Sequence, residues 1–387
     1  MSSSSMSRLK RANQQQVTRY FYEHGSATKQ ELEATLGLSL PTITQHLHEL
    51  ENSGIIAMTG LNDSTGGRRA QRYAFASRVR IAIGASIRRH QVTCCAVDLH
   101  GSTIASSTQG IALNASDPSY YQEIDAVISN FAHGIQSNEH QILGVAFAIQ
   151  GLVSADGQRI TFGNIMGDTG VTIEQLAGDI GYPSTMIHDS DASAMAELWF
   201  DRTINDATLL YLERRIGGAV IMGGALYRGR GLTSGTVEHM TLVPHGRLCY
   251  CGHRGCVDPY CSPETLMHRG ESMEHAFVTI HQAQHHRDRT DSVSRLREFN
   301  RWLDHIASTI TNMRMVIASD VILGGEASRF LNEDDMQILK HNVLAHSPFA
   351  DSFTLKRSLC IPNQGIVGAA LRLISPYVKA LCGEAHG

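Results

Sequence analysis

No apolar run in the chain approaches the roughly 18 residues needed to span a bilayer, so no membrane insertion is expected anywhere in its 387 residues. Nor is there an excess of basic charge: 33 Lys and Arg stand against 37 Asp and Glu, a net of −4. Any surface for nucleic acid must therefore be local to one segment. The opening residues, MSSSSMSRLKRANQQQ, lack the apolar core of a secretion signal, and their polarity predicts a flexible start. Without such a signal, the eight cysteines are expected as reduced thiols in a cytoplasmic compartment. What remains is an ordinary globular composition, 42% hydrophobic and 18% charged, long enough for two or three domains.

Helical patterning begins at Gln15, with Val17, Tyr20 and Phe21 on one face. Thr28 with Glu31 three residues later has the spacing of a capping box. TKQELEATLGLSLPTITQHLHELENSGII then predicts a helix, a turn at Gly37 and a second helix. Leu32, Leu36, Leu38, Ile43, Leu47 and Leu50 are spaced to share a small core. Ser39 is placed to cap the second helix, and Pro41 suits its first turn. This is the layout of a helix-turn-helix, with Ser39, Thr42, Thr44, Gln45 and His46 near the start of the candidate recognition helix. Two strands around a turn-rich tip would form a wing, with Arg68, Arg69 and Arg72 at or beside that tip. Residues 1–77 hold eight Lys/Arg and six Asp/Glu, a net of +2, which leaves −6 for the remainder. A small helical protein-interaction domain is the competing explanation. The combined turn, wing and arginines favour double-stranded DNA.

From residue 78 onward strands alternate with helices, the pattern of an α/β body. Four of the eight cysteines fall within Cys249–Cys261. Cys249-Tyr-Cys251 and Cys256 offer three thiolates around a turn from Gly252 to Gly255. A metal site, a redox pair and coincidence all compete here, although Cys-x-Cys lacks the usual Cys-x-x-Cys redox spacing.

Several segments, in order, resemble the ROK family of repressors and sugar kinases over about residues 80–375. They are GVAFAIQGLVSADG, NIMGDTGVTIEQLAGDIGYP, HDSDASAMAE, GALYRGRGLTSG, HMTLVPHGRLCYCGHRGCVD, VILGG and NQGIVGAAL. The resemblance implies a winged-helix DNA-binding domain at 1–77 and a two-lobed, actin-like ATPase body. Its first lobe would span 78–190 and its second 191–387, with the C-terminal segment returning to the first. It further implies one structural zinc per chain on His239, Cys249, Cys251 and Cys256. A sugar or sugar derivative would lie between the lobes on Asn164, Asp189, His239 and Asp258, in a homodimer or homotetramer.

Two positions depart from the family. Asp258 stands where Glu is usual, and Thr236 stands where a second Glu is usual, with Glu238 directly beside His239. The kinase hairpin Asp-x-Gly-Gly-Thr is replaced by Ile83-Gly84-Ala85-Ser86, and the second phosphate turn reads Glu213-Arg214-Arg215. Long charged side chains prevent close approach of backbone to phosphate. The expectation is a sugar-responsive transcriptional repressor without catalysis. A sugar kinase fused to a DNA-binding domain and a regulator controlled by a protein partner are the alternatives.

Overall fold

Three helices open the chain, of which the computed structural model describes residues 3–61, 70–112, 114, 117–136, 141–285, 290–349, 352–359 and 362–383. Helix α1 (Ser3–His24) is unbroken, which corrects the flexible start expected from polarity. Buried Val17 and Phe21 anchor its far end, and residues of good helix propensity such as Arg8, Lys10 and Arg11 prolong it backwards. Lys10 Nζ, 2.6 Å from Glu49 Oε1, ties this exposed stretch to the third helix.

Strand β1 (Ser26–Thr28) leads into α2 (Lys29–Leu36), whose capping box joins Thr28 and Glu31 as the spacing required. Gly37, at φ 65°, ends α2 and turns the chain toward α3 (Leu40–Asn52), which carries Pro41 in its first turn. Ser39 occupies the cap position, but its hydroxyl pairs with Thr42 Oγ1 at 2.9 Å and leaves the backbone uncapped. Leu32, Ile43, Leu47 and Leu50 meet Val17 and Phe21 in one small core, with Leu36 and Leu38 packed against it. Strands β2 (Ile56–Leu61) and β3 (Gln71–Phe75) complete an antiparallel sheet in the order β1-β3-β2.

The body holds two five-stranded sheets of matching topology. In the first, β4 (Arg80–Arg88), β5 (Gln91–Asp98) and β6 (Thr103–Gly110) run antiparallel. Helix α4 (Pro118–Ile135) then crosses to β7 (Gln141–Ile149), parallel to β4. A short hairpin, β8 (Leu152–Val153) and β9 (Ile160–Phe162), and helix α5 (Ile173–Ala177) precede β10 (Ser184–His188), which is parallel to β7. Helix α6 (Asp189–Phe200) leads to the second sheet, where β11 (Ala207–Leu212), β12 (Ile216–Met222) and β13 (Ala225–Tyr227) repeat the antiparallel trio. Helices α7 (Asp258–Cys261), α8 (Met273–His285) and α9 (Thr290–Arg314) separate that trio from β14 (Asp320–Gly324). Helix α10 (Glu333–His346) leads to β15 (Leu355–Arg357), and β11, β14 and β15 are parallel neighbours.

The last helix, α11 (Gln364–Cys382), returns to the first sheet and packs against α6, β4, β5 and β7. By length and composition it could cross a bilayer. Instead its Ile366, Val367, Leu371 and Ile374 are buried with Val97 and Leu99, each worth about 1.5–3 kcal/mol of transfer. Gly84 on β4 is needed for this contact, because a Cβ there would strike the Ile366 carbonyl. Helix α1 docks on the other end of α11: Arg19 donates to the Cys382 carbonyl at 3.0 Å from Nε and 2.7 Å from Nη2.

Candidate functional site

The loop from Gly235 to Cys261 joins a metal-type cluster to the cleft between the lobes. A 3₁₀ turn, Val237–His239, presents Glu238 and His239. Single bridges between Thr241 and Cys256, and between Leu248 and Arg254, fold the following segment back on itself. Gly255 permits that fold, since its φ is 84° and a Cβ would collide with the Val243 carbonyl. The ligand atoms of His239, Cys249, Cys251 and Cys256 thereby lie within 4.8 Å of one another. Cys249 Sγ is 3.8 Å from His239 Nδ1, and Cys251 Sγ is 3.8 Å from Cys256 Sγ. A tetrahedron with bonds of ~2.3 Å has edges of about 3.8 Å, so the donor set can hold a metal ion. Cys261 lies apart, buried with its thiol 3.6 Å from Thr309. Cys94, Cys95 and Cys382 are likewise buried, while Cys360 lies outside the described residues.

His239 also faces an open cleft of about 500 Å³, solvent included, where Asn164, His188, Asp189, Arg215, Glu238 and Tyr250 line the walls. Its Nε2 is 3.2 Å from the Tyr250 hydroxyl. Asp189, the first residue of α6, accepts from the Ser190 amide at 2.8 Å and lies 3.4 Å from His188 Nε2. Burial pushes its carboxyl upward, while the charges of His188 and Arg88 pull it down.

Of the expected sugar contacts, Asn164, Asp189 and His239 line the cleft. Asp258 does not. It is buried, and Arg215 Nη1 donates to it at 2.9 Å and Ser262 Oγ at 2.7 Å. Arg215, also 3.0 Å from Glu264 and stacked on the Tyr250 ring at 5.0 Å, stands in the lining instead. The shorter aspartate is thus taken up by an arginine from the neighbouring turn.

Glu238 is the cleft residue that sequence reasoning noticed but did not assign. It is 5% exposed, and its Oε2 is buried without a partner. Burial pushes its carboxyl up to about 7. The family-type carboxylate position three residues before His239 is held by Thr236, whose hydroxyl donates to the Thr233 carbonyl at 2.8 Å.

Asp189 and Tyr211 also line a second cavity, of about 830 Å³ with open solvent, together with Ser86, Arg88, Glu213 and Glu326. Arg88 Nη2 donates to Glu213 Oε2 at 2.9 Å, and the Glu326 amide donates to Glu213 Oε1 at 3.3 Å. Burial works against the Arg88 charge, and Glu213, Tyr211 and Asp189 together more than offset it. Nothing in the separate motifs signalled this pair, because its members are 125 positions apart.

At the N-terminal helices, Ser39, Thr44 and Gln45 are exposed and Thr42 is half-buried. His46 is corrected: at 1% exposure it belongs to the interior beneath α3. The exposed residue on that face is His48, four positions after Thr44 and detectable by helical spacing. Arg72 is the second residue of β3 and pairs with Glu31 at 2.7 Å. Arg68 and Arg69 lie outside the described residues.

Two α/β lobes of matching topology with a polar cleft between them define an actin-like ATPase type of body. Within that class the family is specific: the ROK family model matches residues 82–373, and the chain belongs to the ROK family. The xylose repressor of Bacillus spizizenii is 24% identical over 262 residues, covering 67% of this chain and 68% of that one. A ROK family transcriptional regulator structure, a homologue of the Escherichia coli Mlc protein, superposes with a TM-score of 0.70 at 18% identity, covering 97% of this chain and 98% of that one. A ROK family glucokinase from Streptomyces griseus, solved with glucose and AMPPNP, gives 0.63 at 19% identity over 76% of this chain and 98% of that one.

Proposed function

We propose that the chain is a DNA-binding transcriptional repressor whose body senses a sugar or sugar derivative in the cleft beside His239. The observation that carries this reading is the union in one chain of the α2–Gly37–α3 unit with a ROK body similar to that of a repressor. Residues 1–77 serve as a winged helix-turn-helix, with Ser39, Thr42, Thr44 and Gln45 toward the major groove and Arg68 and Arg69 on the wing. Residues 78–190 and 191–387 serve as the two lobes, with the C-terminal helix α11 returning to the first. A homodimer or homotetramer suits two half-sites related by two-fold symmetry. Such a partner implies a cytoplasmic protein.

His239, Cys249, Cys251 and Cys256 would hold one zinc. Four protein ligands leave no open position for an activated water, so the metal's contribution is to fix the loop. His239 then carries that order into the cleft, where Asn164 and Asp189 are positioned to hydrogen-bond hydroxyls. A sugar that favours one lobe arrangement shifts α6 and α11 together, and α11 reaches the α1 helix at Arg19. A tenfold change in operator affinity requires only about 1.4 kcal/mol of such coupling.

The kinase reading is favoured by the glucokinase-like fold and by Asp189 in the cleft. Against it, the second cavity presents Glu213 and Glu326, which repel a polyphosphate, and Arg88 is engaged by Glu213. Gly84 meets α11, a packing duty. The deciding experiment is thermal unfolding of the zinc-loaded protein with a panel of sugars and with ATP–Mg²⁺, paired with operator binding. A ligand at 100 times its Kd adds about 2.7 kcal/mol. A shift with a sugar that also alters DNA affinity supports the repressor. A shift with ATP–Mg²⁺ followed by sugar-dependent ADP release would establish the kinase instead.

A further inference from the structure

The cleft and the N-terminal unit meet opposite ends of one helix. Asp189, which lines the cleft, opens α6, and Trp199 stands in its last turn. The rise between them is about 15 Å at ~1.5 Å per residue. The helix has little freedom to absorb a displacement over that length. Ala192, Ser193, Ala196 and Glu197 are buried, and a Cβ at Gly368 of α11 would collide with the Ala192 carbonyl. Close-packed interiors transmit strain, so a shift at Asp189 is carried to Trp199.

Trp199 is tied in turn to the bend between β5 and β6. Its Nε1 donates to the His100 carbonyl at 2.8 Å, and a Cβ at Gly101 would strike the indole. The bend is itself stiff. The buried Asp98 carboxylate accepts from the His100 and Ser102 amides at 3.0 and 2.9 Å and from the Ser77 hydroxyl at 2.8 Å. On its outer side the His100 ring stacks on Tyr22 of α1, with centroids 4.6 Å apart. Phe75 of β3 meets the same ring at 5.3 Å in a T-shaped contact, and the Tyr22 hydroxyl donates to the Leu99 carbonyl at 3.1 Å. His100 thus touches α6 through its carbonyl and both α1 and β3 through its ring. Aromatic contacts favour particular geometries, so moving His100 costs energy unless α1 follows.

We propose that His100 is the positioning residue that couples the cleft to the N-terminal unit, with Trp199 as its link to α6 and Tyr22 as its link to α1. The proposal rests on the reading of the cleft as the effector site and of the N-terminal unit as the DNA-binding domain, and it names the contact through which one acts on the other. Coupling is reciprocal, so DNA held by α3 must also be felt at Asp189. The attachment of α11 to Arg19 gives the unit a second hold on the body, and loss of the His100 ring leaves it docked.

The test uses the full-length, zinc-loaded protein and a duplex that it selects from random DNA. Amide exchange at residues 189–193 is measured with and without the duplex. Duplex affinity is measured with and without each sugar of a hexose and pentose panel. In the wild type the duplex is expected to change exchange at 189–193, and a bound sugar to change duplex affinity at least about tenfold. His100→Ala should abolish the first effect and cut the second below about threefold, with the sugar affinity of the free protein unchanged. Trp199→Phe, which keeps an aromatic ring and loses the Nε1 donor, should lower both effects, and it decides the question if His100→Ala does not fold. A purely structural role would lower Tm and leave both effects intact. Coupling that persists in both variants overturns the role of His100, as does a wild type whose exchange at 189–193 ignores the duplex. If no sugar binds, the sugar-sensing reading fails and the exchange measurement alone decides the proposal. If no duplex is selected, the DNA-binding reading fails and the proposal fails with it.

Discussion

Arg88, at the end of β4, donates to Glu213, just beyond β11, and so joins the two lobes by a 2.9 Å ion pair. Their side chains are 30% and 12% exposed, so water screens part of the interaction. Arg88→Ala leaves Glu213 partly buried, with the Glu326 amide as its remaining partner at Oε1 among the described residues. The expected loss is about 1–2 kcal/mol, seen as a fall in Tm of a few degrees and as a wider interlobe distance by small-angle scattering. The exchanged pair, Arg88→Glu with Glu213→Arg, should recover most of it.

The same pair predicts indifference to nucleotide. ATP–Mg²⁺ at millimolar concentration should leave the wild-type melting curve unmoved and release no ADP with any sugar. Coupled-enzyme ADP assay and thermal unfolding together check this.

Zinc should depend on all three clustered thiolates. Cys251→Ser is expected to drop the metal content from one per chain to well below one, by elemental analysis, and to lower Tm. Cys261→Ser, outside the cluster and buried against Thr309, should keep the full metal content.

The two sides of α3 should separate cleanly. Gln45→Ala, on the exposed side, is expected to weaken operator binding by about 1–3 kcal/mol with little change in Tm. His46→Ala, at 1% exposure, should cost about 1–3 kcal/mol of stability without altering the affinity of the folded protein. Arg68→Ala should reduce the salt slope of DNA binding by about one.

Asp168 gives a pH dependence. Burial raises its carboxyl from 3.8 to about 6, and its Oδ1 is buried without a partner. The folded protein therefore holds a proton that the unfolded chain releases, and stability from this group falls as pH rises from about 4 to about 6. Asp168→Asn, neutral throughout, should raise Tm more at pH 7.5 than at pH 4.5. Paired melting curves at the two values check the sign.

Much of the N-terminal unit was legible because its signals are local. Thr28 and Glu31 are three residues apart, Gly37 follows α2 directly, and Leu47 and Leu50 lie on one helical face. The cysteine cluster was legible for the same reason, since Cys249, Cys251 and Cys256 fall within one folded loop. Burial of individual polar residues was not. His46 and Thr44 are two positions apart, yet one is buried and the other exposed, a difference fixed by what α1, α2 and β2 place against α3.

The sequence by itself determined the α2–Gly37–α3 spacing, the alternation of the α/β body and the thiolate set, because each depends on short-range periodicity or on residues within one loop. Tertiary structure alone decided that Asp258 is taken by Arg215, that Arg88 reaches Glu213, and that Glu238 enters the cleft unpartnered. Those outcomes follow from strands and turns brought together from distant parts of the chain. Whether a buried charge meets a countercharge is a property of the assembled space around it, and no local pattern encodes that.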